Sequence, residues 1–205
     1  MPFLWVASLE VCWESPLTAR FGWFPEMSSR RFSLVPFTEA GPVSGLKIAG
    51  EISRVSNRLT IHYDLFGHLT EVVIPMPADM PVRKRALWEE TCFEFFIAVK
   101  DSSRYWEFNL SPAGHWNVFR FAAYRKGMQE DAAIGTLPFS VRRQSGALSL
   151  SLEIDPDRII RSGQVLEVGI SAVIKCKRGE TSYWALTHLG QQADIHRRDS
   201  FIIKL

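Results

Sequence analysis

ALSLSLEI, residues 147–154, alternates without a slip: Leu148, Leu150, Leu152 and Ile154 fall on one side, Ser149, Ser151 and Glu153 on the other. A period of two is what a strand half-buried against a core requires, because successive side chains point to opposite faces of the pleat. RLTIHYDL (58–65) repeats the pattern, with Leu59, Ile61, Tyr63 and Leu65 opposite Thr60, His62 and Asp64. LEVGISAVI (166–174) places Leu166, Val168, Ile170, Ala172 and Ile174 on one face. EVVIP, TCFEFFIAVK, RYWEFNL, WNVFRFAAY and FSVRR extend the series, and the breaks between them (NR, FGH, SPAG, QSGA, CKRGE) carry turn chemistry. No stretch holds a long period of 3.6; PADMPVRKRALWEE and DPDRIIRSG each leave room for one helical turn. About ten short strands with turns every 8–12 residues predict an all-β antiparallel sandwich, of jelly-roll or immunoglobulin-like type.

The chain has 205 residues, 46% of them hydrophobic, enough for one domain with a sizeable core. A net charge of +2 is too mild for a nucleic-acid footprint, and the pairs Arg30-Arg31, Arg142-Arg143 and Arg197-Arg198 are scattered. Cys12, Cys92 and Cys176 form no CxxC and no zinc spacing; Cys92 and Cys176, in apolar strand-like runs, read as buried thiols, which fits a reducing compartment. No apolar run approaches the roughly 18 residues of a membrane helix. The first 26 residues hold Trp5, Trp13 and Trp23 with no sustained period, and SSRR after Met27 looks like an ordinary protein start. Residues 1–26 therefore read as an upstream extension or as an arm that docks on the domain. They lack the basic n-region of a signal peptide, which sets the expectation of a cytoplasmic protein.

No GxSxG, Walker loop or HExxH is present. Glu94 and Glu107, on successive strands, are the paired-carboxylate candidates, and glycoside hydrolysis would need such a pair. Hydrogen-bonded strand residues are the simpler reading. Asp194, His196 and Asp199 match no strong metal template and read as a hydrogen-bonded loop. Trp88, Trp106, Trp116, Tyr124, Tyr183 and Trp184 lie near turns or polar residues, where an indole or phenol face can stack on a flat ligand such as a sugar ring.

The segment 87–128 is more specific. It supplies Trp88, Thr91, Cys92, Phe93, Glu94 and Phe96, then Tyr105, Glu107, Phe108, Asn109, Ser111, Pro112, Gly114 and Trp116, then Tyr124, Arg125, Gly127 and Met128. This order resembles bacterial DOMON-like proteins, relatives of the family-9 carbohydrate-binding modules. SAVI and SYWALTHLGQQADIHRRDSF look like the family's closing segment. The resemblance runs over residues 32–205, leaving 1–31 as an N-terminal extension. It implies a β-sandwich that binds a saccharide or similar small polar ligand without catalysis, with no cofactor. A heme- or redox-associated domain is the alternative, with Met128 and His196 as conceivable ligands; a glycan-acting enzyme is a weaker one. By the same resemblance Trp88 and Trp184 are candidates for an aromatic clasp. The expected ligand-binding set is Trp88, Glu107, Asn109, Arg120, Trp184, His196 and Asp199. Glu107, Asn109 and Arg120 have a second reading, as an internal polar network that fixes hairpin register.

Overall fold

A computed structural model describes residues 27–38 and 45–205, and residues 1–26 with their expected extension lie outside it. The described residues form twelve strands: β1 (Met27–Pro36), β2 (Lys47–Val55), β3 (Arg58–Phe66), β4 (Cys92–Val99), β5 (Tyr105–Leu110), β6 (Trp116–Phe121), β7 (Gln129–Glu130), β8 (Phe139–Gln144), β9 (Ala147–Ile154), β10 (Leu166–Lys175), β11 (Thr181–Ala185) and β12 (Ile203–Lys204). All strand pairs are antiparallel. One layer runs β1-β2-β3-β9-β8 and the other β7-β6-β5-β4-β10-β11, with β12 beside the start of β10. Strand β1 joins the layers: Met27–Leu34 pair with β2, while Val35 and Pro36 pair with β11. The division placed before residue 32 falls inside this strand, so residues 27–31 belong to the sandwich.

The two inner faces meet in one core. Leu59, Ile61, Tyr63, Leu65, Leu148, Leu150 and Leu152 come from the first layer, and Phe93, Phe95, Phe108, Val118, Leu166, Val168 and Ile170 from the second. The Tyr63 hydroxyl crosses between the layers to donate to the Glu94 carbonyl at 2.8 Å. The layers differ in what covers their outer faces. In β3 and β9 burial alternates with the sequence, so that outer face meets solvent. In β4 and β5 nearly every position is buried on both sides. Such strands need apolar residues at both parities, and CFEFFIAV supplies them.

The cover comes from the loop before β4 and from the segment after β11. Helical structure among the described residues is confined to three short 3₁₀ turns, Leu69–Glu71, Leu87–Glu89 and Arg198–Ser200. Residues 155–163 form turns instead, closed by Pro156. No helix among them is long and apolar enough to cross a membrane. The closing segment lies flat on the sheet because β10 carries Gly169 there: an added Cβ would stand 2.6 Å from the Phe201 ring. Phe201 packs with Phe96, Ala98, Tyr105, Phe119 and Phe121 in a second, smaller core on this outer face.

Candidate functional site

The outer face of the second layer presents a row of buried polar residues. Asn117 of β6 lies opposite Asn109 of β5, Asn109 opposite Glu94 of β4, and Glu94 opposite Ser171 of β10. Glu107 stands two residues along β5 from Asn109, which makes it the diagonal neighbour of Glu94. Both acids are almost wholly covered, Glu94 at 1% and Glu107 at 4% exposure. Glu94 Oε2 accepts from Ser171 Oγ at 3.0 Å, and Glu107 Oε1 accepts from Asn109 Nδ2 at 2.8 Å. Burial first, then the charge of Glu107, pushes the Glu94 carboxyl well above the ordinary carboxylate range, against the Ser171 hydrogen bond. Burial raises Glu107 likewise, opposed by Asn109 and by Arg125.

These two acids form the floor of a cavity of about 430 Å³, lined also by Trp88, Phe121, Arg125, Met128, Val173, Tyr183, Ala193, Ile195 and His196. The floor crosses five strands, from Phe121 on β6 through Glu107, Glu94 and Val173 to Tyr183 on β11. The walls are loops. Trp88 stands on the 3₁₀ turn Leu87–Glu89, whose preceding residue Ala86 takes the left-handed conformation at φ 57°. Buried Leu87 anchors that turn, and Thr91 ties its exit by donating to the Val73 carbonyl. The half-buried Trp88 ring then meets Phe119 edge-on at 5.7 Å. Arg125, in the loop after β6, is also left-handed, at φ 52°. Non-glycine residues rarely adopt this region, and strained positions tend to collect where a loop must aim a side chain.

The closing segment is pinned to the loop after β6 by Asp194. Its carboxylate accepts from the Tyr124 hydroxyl, from Arg125 at 2.9 Å and from the His196 N–H at 3.1 Å. Burial acts to raise its pKa, but these bonds hold it below the ordinary aspartate value. His196 is set from the other side. The Tyr105 hydroxyl accepts from the Arg125 N–H at 3.2 Å and is hydrogen-bonded to His196 Nδ1 at 2.9 Å. His196 Nε2 faces Glu107 Oε2 at 3.8 Å. Burial, reinforced by Arg125 and opposed by Asp194, drives His196 down to about 4.

The cavity thus brings together Trp88, Glu107 and His196 from the expected set, with Asn109 directly behind Glu107. It does not include the other three. Trp184 lies opposite Ala172, and both belong to the inner core; its ring is 6% exposed and turned away from the cavity. Its neighbour Tyr183 points outward in its place. A clasp of Trp88 with Trp184 is therefore replaced by Trp88 facing a floor that ends in Tyr183. Arg120 lies opposite Trp106, on the core side of β6, and reaches Gln129 at the sheet edge at 2.8 Å. Asp199 is bonded to Arg197 on the surface. Glu94, Phe121, Arg125, Met128, Val173, Tyr183, Ala193 and Ile195 complete the lining. Glu94, Arg125 and Met128 fall within the distinctive 87–128 segment, and Tyr183 is the residue one parity away from the expected tryptophan.

Both of the conceivable heme ligands, Met128 and His196, line this cavity, and two buried acids occupy its floor. No group of three or more His, Cys, Asp or Glu side chains among the described residues could hold a metal ion.

No protein-family model matches the chain, and no curated protein matches it. Among solved structures, the chain is similar to a candidate carbohydrate-binding protein from Bacteroides uniformis ATCC 8492, with a TM-score of 0.65, 16% identity and 83% of each chain covered. Family-9 carbohydrate-binding modules from Caldicellulosiruptor kristjanssonii are more distant, at 9% identity over 79% of this chain. The module solved with cellotriose has a TM-score of 0.44 over 72% of its own length, and the one solved with glucose 0.41 over 74%. The first of these likenesses establishes a shared fold. The chain is an all-β protein whose two antiparallel layers form a sandwich, a fold it shares with the Bacteroides protein.

Proposed function

We propose that the protein is a non-catalytic binding module whose ligand, a saccharide or a similarly small polar molecule, occupies the cavity on the outer face of the second layer. The observation that carries this reading is the combination of aromatic faces, Trp88, Phe121 and Tyr183, with buried hydrogen-bonding groups in one concave site. Sugar rings offer C–H faces to indole and phenol, while their hydroxyls need fixed donors and acceptors. Among the described residues no hydrogen bond reaches Glu94 Oε1 or Glu107 Oε2, the latter having His196 Nε2 at 3.8 Å, and both acids stand at the cavity floor. The Bacteroides neighbour, which shares the fold, is itself described as a candidate carbohydrate-binding protein.

The arrangement of the acids supports binding over catalysis. A glycosidase holds its two carboxyls on either side of the scissile bond. Glu94 and Glu107 are neighbours on one sheet face, both beneath the ligand space. A glycan array followed by calorimetry on the hits tests the reading. Binding is expected to fall at least tenfold in Trp88→Ala and in Tyr183→Ala, both of which should remain folded. An array without hits, or hits indifferent to both substitutions, would contradict it.

A further inference from the structure

We infer that the ligand of this cavity carries a protonated amine, and that its ammonium group lies against the carboxyls of Glu94 and Glu107; this rests on the cavity being the ligand site. The inference begins from a choice of residue types. Glu94 uses one oxygen to accept from Ser171, and Glu107 one to accept from Asn109. Glutamine would accept both bonds equally well, and it would satisfy neutral sugar hydroxyls with both a donor and an acceptor. Two adjacent acids, 1% and 4% exposed, bring desolvation and mutual repulsion instead. What they offer beyond an amide is negative charge, and that has value in a covered site only when a cation enters.

The surrounding residues leave that cation to be supplied from outside. Arg125, the basic side chain of the lining, acts on Glu107 through its charge without a hydrogen bond to it, and is itself bonded to Asp194 at 2.9 Å. His196 is neutral down to acid pH, with Nδ1 taken by Tyr105. Tyr63, which reaches the Glu94 carbonyl from the core, Cys92, two residues along β4 on the face of Glu94, and Tyr105 bring no positive charge. The aromatic lining suits the same ligand, since Trp88, Tyr183 and Phe121 can turn ring faces, negative at the centre, toward an ammonium or its adjacent C–H groups. A carboxylate or phosphate ligand would meet two acids and no uncommitted base.

Entry of the ammonium favours the ionised carboxyls, so protons leave Glu94 and Glu107 for solvent as the amine keeps its own. Calorimetry reads both effects. Glucose, galactose and mannose are titrated beside glucosamine, galactosamine and mannosamine at neutral pH, with methylammonium as the bare cation, in phosphate and in MOPS. At least one amino sugar is expected to bind tenfold or more tighter than its parent, with protons released. The double variant Glu94→Gln, Glu107→Gln should abolish that preference and that release. Amino sugars no tighter than their parents, while the parents bind, would overturn the inference and leave the saccharide reading standing. A preference that survives in the double variant would also overturn it. Methylammonium bound with proton release, and no sugar bound, would uphold the acid pair as a cation site and reject the saccharide. Absence of all binding would overturn both.

Discussion

Tyr183 and Trp184 are adjacent, aromatic and opposite in role. Trp184 shares the inner parity of β11 with the core, and Tyr183 shares the outer parity with the cavity. Burying an indole removes far more apolar surface from water than covering one side of an exposed phenol. Trp184→Ala should therefore destabilise by about 3–5 kcal/mol, as expected for a buried aromatic. Phe108→Ala, at a wholly buried position, belongs with it. Tyr183→Ala should leave the urea midpoint nearly unchanged and act on ligand binding alone. Trp88→Ala should fall between them in stability, because its ring is half-buried against Phe119. Urea melts of the four variants check the order, and a Trp184→Ala protein as stable as the parent would contradict the assigned parity. The sequence SYWAL does not reveal this parity by itself. Either aromatic can face a core, and only the pairing of Ala172 with Trp184 settles which one does.

At the scale of elements, the strands of the first layer were legible because one of their faces is wet. Leu148, Leu150, Leu152 and Ile154 are all buried, as their alternation requires. The central strands of the second layer were legible as strands but not as faces. In CFEFFIAV, Phe93, Phe95 and Ile97 compete with Cys92, Phe96 and Ala98, so periodicity could not say whether Glu94 points inward or outward. The missing information is the closing segment, which covers the outer face from far away in sequence, as the contact of His196 with Tyr105, 91 residues apart, illustrates. Arg120 misled for a related reason: it is a polar residue at an inner parity, tolerated because β6 is ending and the side chain escapes to Gln129. Gly169 is the element-scale test of the cover. Gly169→Ala forces Phe201 off the sheet, and overpacking of this kind typically costs about 1–3 kcal/mol. Limited proteolysis should then cut first within residues 186–201. Unchanged stability and an unchanged cleavage pattern would show that this segment does not depend on its seat at Gly169.

For the whole molecule, the buried acids predict an unusual dependence on pH. The folded-state values of Glu94 and Glu107 lie above their ordinary ones, so the folded protein binds more protons than the unfolded chain across that interval. Stability contributed by these groups is full at low pH and is lost as pH rises toward their raised values. His196 acts oppositely: lowered to about 4 from 6.5, it favours the folded state at higher pH and destabilises it as pH falls below its ordinary value. Above about pH 6.5 the acids act without it. Urea melts between about pH 6.5 and 8.5 should show the parent losing stability, and the double Gln variant losing less. Parallel declines would mean that the two carboxyls are already ionised in the fold.

The central claim is that one face of the sandwich, between Trp88 and Tyr183, is where a ligand sits. Indole resonances test it most directly, because Trp88, Trp106, Trp116 and Trp184 are the tryptophans of the described fold and only Trp88 lines the cavity. In a ¹H–¹⁵N spectrum, a saturating sugar or amino sugar identified by the array or by calorimetry should shift the Trp88 indole and the backbone amides of Glu107, Tyr183 and His196. The indoles of Trp106, Trp116 and Trp184 should stay in place. Shifts confined to other surfaces, with the Trp88 indole unmoved at saturation, would contradict the assignment of this cavity as the binding site.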